Sequence, residues 1–158
     1  MLVGDHGYLF GEYGWTGKIS SILHPPLIHV PLIIVDPRAA PGRSNYLAQT
    51  HDIGPTLLSL AGVRPPEGMD GVDLSPLLRG RKPSEWRKFA YGGYANWHYA
   101  RARDWAYVAN NFGRGRRLYD LERDAGEATD IAHRQRKRID AIDAALRRRA
   151  GETFPVFH

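Results

Sequence analysis

An acid and an imidazole stand side by side at Asp5-His6, with Gly7 after them and a lysine, Lys18, thirteen positions beyond the acid. A carboxylate oxygen and an imidazole nitrogen together suit a divalent cation, and a nearby ammonium adds a point charge for an anionic group on a substrate. Adjacent residues of a helix or strand point in different directions, so both side chains can serve one ion only where the backbone turns sharply. Gly4, Gly7, Gly11 and Gly14 supply that freedom. On its own, an Asp-His-Gly tripeptide is explained as well by a hydrogen-bonded turn, and only the rest of the chain can raise it above that reading.

Other residues invite chemistry less strongly. His51-Asp52 has the look of a dyad, but Asp52 precedes an apolar helical run and reads better as its N-cap, worth about 1 kcal/mol. His24 and His29 flank a Pro-rich turn and read as structural or pocket-rim residues. Trp97, His98, Tyr99 and Arg101 lie in a variable-looking stretch from which substrate-facing loops could come.

The elements that must position these groups can be read from patterning. Met1–Val3 reads as a strand end feeding the candidate metal loop, as expected where ligands gather at the carboxyl ends of parallel strands. Val30–Val35 is a short apolar run with β-branched residues, the pattern of a parallel strand buried on both faces. Leu57, Leu58, Leu60 and Ala61 suggest a helix stopped by Gly62, with Pro55 tolerated in its first turn. Residues 63–84 are rich in proline and read as an extended crossing. Beyond them come short aromatic runs at 89–91, 94–99, 104–109 and 117–121, separated by Gly, Asn or charge, which suggests an antiparallel sheet. Ile139, Ile142 and Leu146 recur at i, i+3 and i+7 ahead of Gly151, marking an amphipathic C-terminal helix.

Composition narrows the classes. The 158 residues are enough for a core, and 25% charged residues argue against wholesale disorder. There is no cysteine and hence no disulfide, and no apolar run nears the ~18 residues of a membrane span. Residues 1–79 carry five Lys/Arg against seven Asp/Glu, while 80–158 carry seventeen against ten, so the second half alone supplies the positive balance behind the net charge of +5. Acids interleave with the basic runs, and Asp143 precedes Arg147 at helical spacing. A solvated face is therefore expected rather than a nucleic-acid surface.

Five blocks resemble the sulfatase family of the alkaline-phosphatase-like superfamily. Asp5 to Lys18 is similar to its DHG-x-x-x-GE-x-G-x-x-x-K run, and His29 to Val35 to its VPLII strand. Asp52 to Gly62 resembles D-x-x-PTLL-x-x-AG, Met69 to Gly80 resembles DG-x-x-L-x-PLL-x-G, and Leu118 to Asp124 resembles LYDLE-x-D. The resemblance implies an α/β fold: residues 1–84 as the C-terminal part of a sulfatase α/β domain, and 85–158 as a small antiparallel β subdomain with a C-terminal helix. It implies Asp5 and His6 as metal ligands, with Ca2+ first and Mg2+ or Mn2+ as alternatives, and Lys18 on the sulfate oxygens. The implied substrate is a small-molecule sulfate ester, with no nucleic acid and no membrane as partner.

The resemblance also implies a formylglycine nucleophile made from Cys or Ser in C/S-x-P-x-R, which is expected upstream. The chain has no cysteine, and none of its serines begins that motif; Ser75-Pro-Leu-Leu-Arg has its proline and arginine misplaced. Half a site is therefore expected here, inactive alone and prone to self-association. A phosphonate monoester or phosphodiester hydrolase of the same superfamily is the alternative, followed by a non-catalytic remnant or basic binding module.

Overall fold

The aromatic-rich runs of the second half pair as one antiparallel sheet in the computed structural model, which describes residues 1–156. In chain order the elements are β1 (Leu2–Val3), β2 (Leu9–Phe10), β3 (Thr16–Gly17), α1 (Pro25–Ile28), β4 (Leu32–Ile33), α2 (Ile53–Leu60), β5 (Ala90–Tyr94), β6 (Trp97–Arg101), β7 (Trp105–Asn110), β8 (Arg117–Asp120) and α3 (Arg136–Arg149). They fall into two compact units. One joins Met1–Asp5 to Pro31–Ala90, and the other joins His6–Val30 to the chain from Tyr91 onward. Among the described residues no helix is long and apolar enough to cross a membrane.

The second unit is built on the sheet β5-β6-β7-β8. Tyr99 stands opposite Val108, Ala100 opposite Tyr107, and Tyr107 opposite Leu118. Because successive side chains point to opposite faces, this register sorts the core into two layers. On one face Val108, Trp97 and Tyr99 pack with Leu23, Leu27 and Ile28. On the other, the Tyr107 hydroxyl donates to Asp143 Oδ1 of α3 at 2.7 Å. The central strand β7 is buried continuously from Ala106 to Ala109, as a strand covered on both sides must be. Helix α3 buries Ile139, Ile142 and Leu146, the three residues its periodicity singles out.

Asp143 is buried with them, 6% exposed, and its ion pair is not with Arg147. Arg116 Nη2 meets its Oδ2 at 2.9 Å, and His98 Nε2 lies 3.7 Å from Oδ1, too far for a hydrogen bond. Arg147 instead lies 4.8 Å from the Phe154 ring centre. Helical spacing offered Asp143 a neighbour; the sheet offered it a better one, in a setting where an unpaired carboxylate could not remain.

The first unit differs from expectation in its strand. Val30–Val35 contributes only the two-residue β4, paired antiparallel with β1 through Leu2 opposite Ile33 and Val3 opposite Leu32. Burial alternates along it, Leu32 half-buried and Ile33 and Val35 55% and 79% exposed, so it is not a parallel strand covered on both faces. A run of apolar residues records the capacity for burial, while the partner that decides direction lies elsewhere in the chain.

Asp52 also departs from its expected role. It precedes α2, yet its carboxylate makes no cap on that helix. It turns inward, accepting from the backbone N–H groups of Gln49 (2.8 Å) and Val72 (2.8 Å) and from both terminal nitrogens of Arg87 (2.7 and 2.8 Å). Thr56 Oγ1 donates to the Asp52 carbonyl at 2.6 Å and accepts from Leu74 N–H at 2.9 Å. The 70–74 turn is thereby bound to α2, beside the small core of Tyr46, Val72 and Leu74. Helix α2 ends as expected, Gly62 at φ +77 closing it with Val63 N–H on the Leu58 carbonyl.

Candidate active site

The residues from His6 to Lys18 form a loop and a small hairpin. β2 and β3 pair through Leu9 opposite Gly17 and Phe10 opposite Thr16. Gly11 at φ +124 and Gly14 at φ +74 make the turn between them. The Glu12 carboxylate accepts the Phe10 N–H at 2.6 Å, and that bond together with its own backbone N–H holds its carboxyl below the usual range. Glu12 thus closes the turn. Tyr13 sits at φ +55, a costly backbone for a non-glycine residue, and its ring stacks on His24 at 4.1 Å.

Gly7 is needed for a different reason from the expected one. It carries no positive φ; a side chain there has no space, because a Cβ would lie 1.8 Å from the Pro26 carbonyl oxygen. Its N–H donates to the Leu27 carbonyl at 2.8 Å. Gly7 is therefore laid directly on the backbone of α1.

Asp5 and His6 are both exposed at this point of the chain. His6 Nδ1 lies 2.7 Å from the Gly7 carbonyl oxygen, the geometry of an Nδ1–H donor, and in that tautomer the lone pair lies on Nε2. An imidazole whose other nitrogen is tied to a carbonyl is the form that ligates metals. A carboxylate and such an imidazole fit a divalent cation as two ligands of a larger set. Among the described residues no three His, Asp or Glu side chains gather at metal-binding geometry, so the pair is not a complete site. Lys18 follows β3, exposed, with Nζ 4.4 Å from the centre of the Tyr94 ring.

The remaining candidates disperse. His29 is exposed, whereas His24 is 3% exposed and its Nδ1–H donates to the Glu127 carboxylate. Trp97 and Tyr99 pack into the sheet core, His98 is 6% exposed with Nδ1 2.9 Å from Asn111 Oδ1, and Arg101 binds the other oxygen of Glu127. His51 Nε2 lies 3.7 Å from Asp52 Oδ1, beside a carboxylate already held by Arg87. Sequence reading passed over Glu127 and Arg87 because their partners are 103 and 35 residues away. The available signal was Glu127 itself, a charged residue just after a strand-and-turn block whose own acids cap a turn.

Residues 11–153 match the family described as N-sulphoglucosamine sulphohydrolase, C-terminal. The chain belongs to this sulphohydrolase C-terminal family. The match includes Lys18 and begins after Asp5 and His6. Among relatives of this sulphohydrolase family member, an N-acetylglucosamine-6-O-sulfatase of Bacteroides thetaiotaomicron is 36% identical over 98 residues, 60% of this chain and 17% of that protein. A solved complex with the substrate D-glucosamine-2-N,6-O-disulfate superimposes with TM-score 0.79 at 25% identity, covering 92% of this chain and 33% of the other. The phosphonate monoester hydrolase of Agrobacterium radiobacter superimposes with TM-score 0.80 at 26% identity, covering 95% and 34%. The sulphohydrolase C-terminal chain thus shares the α/β fold of the alkaline-phosphatase-like sulfatases and spans about a third or less of the length of these proteins.

Proposed function

We propose that this chain is the C-terminal part of a sulfuric ester hydrolase, with 1–84 ending its α/β domain and 85–158 forming the antiparallel subdomain. In this reading Asp5 and His6 bind a divalent cation, Ca2+ before Mg2+ or Mn2+, and Lys18 holds the sulfate oxygens of a small-molecule ester. The family match across residues 11–153 carries the reading, since it takes in the Lys18 register. A bound cation would supply positive charge where negative charge builds on the ester oxygens. Lys18 adds a fixed ammonium for the same charge, and the Gly7–Leu27 bond keeps His6 oriented. A nucleophile is still needed. In this family resemblance it is a formylglycine, for which this sequence holds no Cys or Ser motif. The chain alone is therefore inactive.

The specific observation favouring the second reading is the fold match to a phosphonate monoester hydrolase. Phosphorus and sulfur esters present similar tetrahedral anions, so one experiment serves both. The reading frame extended upstream to include a nucleophile motif is expressed and assayed with an aryl sulfate and a phenyl phosphonate ester. Sulfate turnover above phosphonate turnover is expected, with Lys18→Ala lowering kcat/KM about 10²–10³-fold, as for loss of one charge-stabilising donor. Turnover of the phosphonate alone rejects the sulfatase assignment, and a Lys18→Ala enzyme at full rate rejects the role given to Lys18.

A further inference from the structure

Glu127 is a residue with no place in the proposed chemistry and an unusual setting. It is 3% exposed, carries a charge, and adopts φ +55, a left-handed backbone that a non-glycine residue keeps only where its surroundings impose it. The surroundings can be named. The Asp124 carboxylate accepts the N–H groups of Ala128 (3.1 Å) and Thr129 (2.7 Å), and Glu127 N–H donates to the Asp124 carbonyl at 3.0 Å, which shapes the turn that points the Glu127 side chain inward. Its two carboxylate oxygens are then divided between Arg101 of β6 and Nδ1–H of His24. Such a carboxylate, dry and with both oxygens used, is worth far more as a fixed anchor than as a surface charge.

What the anchor holds is the backbone under the candidate metal loop. His24 opens α1, its carbonyl accepting Leu27 N–H at 2.9 Å and Ile28 N–H at 3.2 Å. The Leu27 carbonyl accepts Gly7 N–H, and the Pro26 carbonyl occupies the place of a Gly7 side chain. On the far side of the loop, the Tyr13 ring covers His24 and its hydroxyl donates to the Gly126 carbonyl at 3.3 Å, while Tyr119 meets His24 edge-on at 5.3 Å. Burial and the Glu127 charge together push the Tyr13 phenol up, so it remains a donor. Tyr13 therefore rests on His24 directly, and Gly7 rests on it through Leu27 of α1.

We infer that Glu127, through His24, is the positioning residue of the candidate metal loop: it fixes α1, and α1 fixes Gly7 beside His6. The inference rests on the proposed metal role of His6 only for its consequence, since the clamp itself involves neither cation nor substrate. A carboxamide in place of Glu127 keeps the volume but cannot hold Arg101 and His24 as a charged group does. The loop should then loosen while the sheet that carries it stays closed.

The test uses the whole chain, isotopically labelled. Amide exchange is followed at Gly7, whose N–H donates to the Leu27 carbonyl, and at Tyr107 and Val108 of β7 as the global reference. Mn2+ is titrated in parallel, with broadening at the His6 ring compared with that at the exposed His133. In Glu127→Gln, exchange at Gly7 is expected to rise at least tenfold with β7 unchanged, and His6 to need several-fold more Mn2+. If Glu127→Gln does not fold, Tyr13→Ala, which removes the ring over His24 and the hydroxyl bond to Gly126 but leaves the Glu127 pairs, should give the same pattern in weaker form. His24→Gln, which retains a donor for Glu127, should preserve Gly7 protection where His24→Leu loses it. Unchanged Gly7 exchange, or exchange that rises equally in β7, overturns the inference. Loosened Gly7 with no Mn2+ broadening at His6 even in the parent chain upholds the clamp and rejects the metal reading.

Discussion

Gly7 and Asp52 show how much a single position can depend on what approaches it. At Gly7 the constraint is a carbonyl oxygen where a side chain would begin, so Gly7→Ala must push α1 or the loop aside. We expect a loss of about 1–3 kcal/mol, the usual scale of forced overpacking, read as a lower urea midpoint in circular dichroism. A midpoint within error of the parent would show the loop yields without strain. At Asp52 the constraint is charge. The residue is fully buried and Arg87 is 5% exposed, and each is the main partner of the other. Burial pushes the Asp52 carboxyl up, but Arg87 and the N–H groups of Val72 and Gln49 more than reverse it, leaving it below its ordinary value. Arg87→Ala strands a buried anion and should cost roughly 3–5 kcal/mol, whereas replacing both partners with apolar residues should cost much less. A double variant as unstable as the single one would contradict this.

At the scale of an element, the docking of α3 on the sheet is expected to be sensitive to acid. Burial pushes the Asp143 carboxyl up, and His98, Tyr107 and Arg116 outweigh it, so in the folded protein it lies below the ordinary carboxylate range. A depressed carboxylate stabilises above its unfolded value of about 3.9 and loses that contribution as pH falls through its folded value. The parent should therefore lose stability steadily below about pH 4, through this carboxylate among others. Asp143→Asn should start less stable near neutrality and show a shallower acid limb. The measurement is thermal midpoint against pH from 7 to 2. An acid limb of the same slope in the variant would mean that another group governs α3.

For the whole molecule, the two units should differ in resistance to opening. The first has as its sheet only β1–β4, a two-pair ribbon with Leu2 and Ile33 exposed and Val35 exposed just beyond it, while the second has a four-stranded sheet covered on both faces of β7. Hydrogen exchange should show weak protection across residues 28–36 and strong protection across 104–121 and 138–148. Exposed apolar ribbon residues also invite edge pairing, so light scattering should show self-association rising with concentration. A monodisperse monomer with uniform protection would refute both expectations. The purified chain should not turn over a chromogenic aryl sulfate with Ca2+, Mg2+ or Mn2+. Metal-dependent turnover abolished by Lys18→Ala would refute that.

Residue order alone was enough to stop α2 at Gly62, to mark the second half as an antiparallel sheet, and to choose Ile139, Ile142 and Leu146 as the buried face of α3, although the run 94–99 holds the turn between β5 and β6 rather than one strand. These features rest on contacts within a few residues, or on periodicities of two and three to four that the chain carries everywhere. Tertiary structure decided the rest. It gave Val30–Val35 an antiparallel partner in β1, turned Asp52 from a helix cap into the acceptor for Arg87, and moved Asp143 from Arg147 to Tyr107 and Arg116. It also joined His24 to Glu127 across 103 residues. A buried charge or an unpaired strand edge fixes only that a partner must exist; which partner arrives depends on how distant segments are brought together, and no local pattern records that.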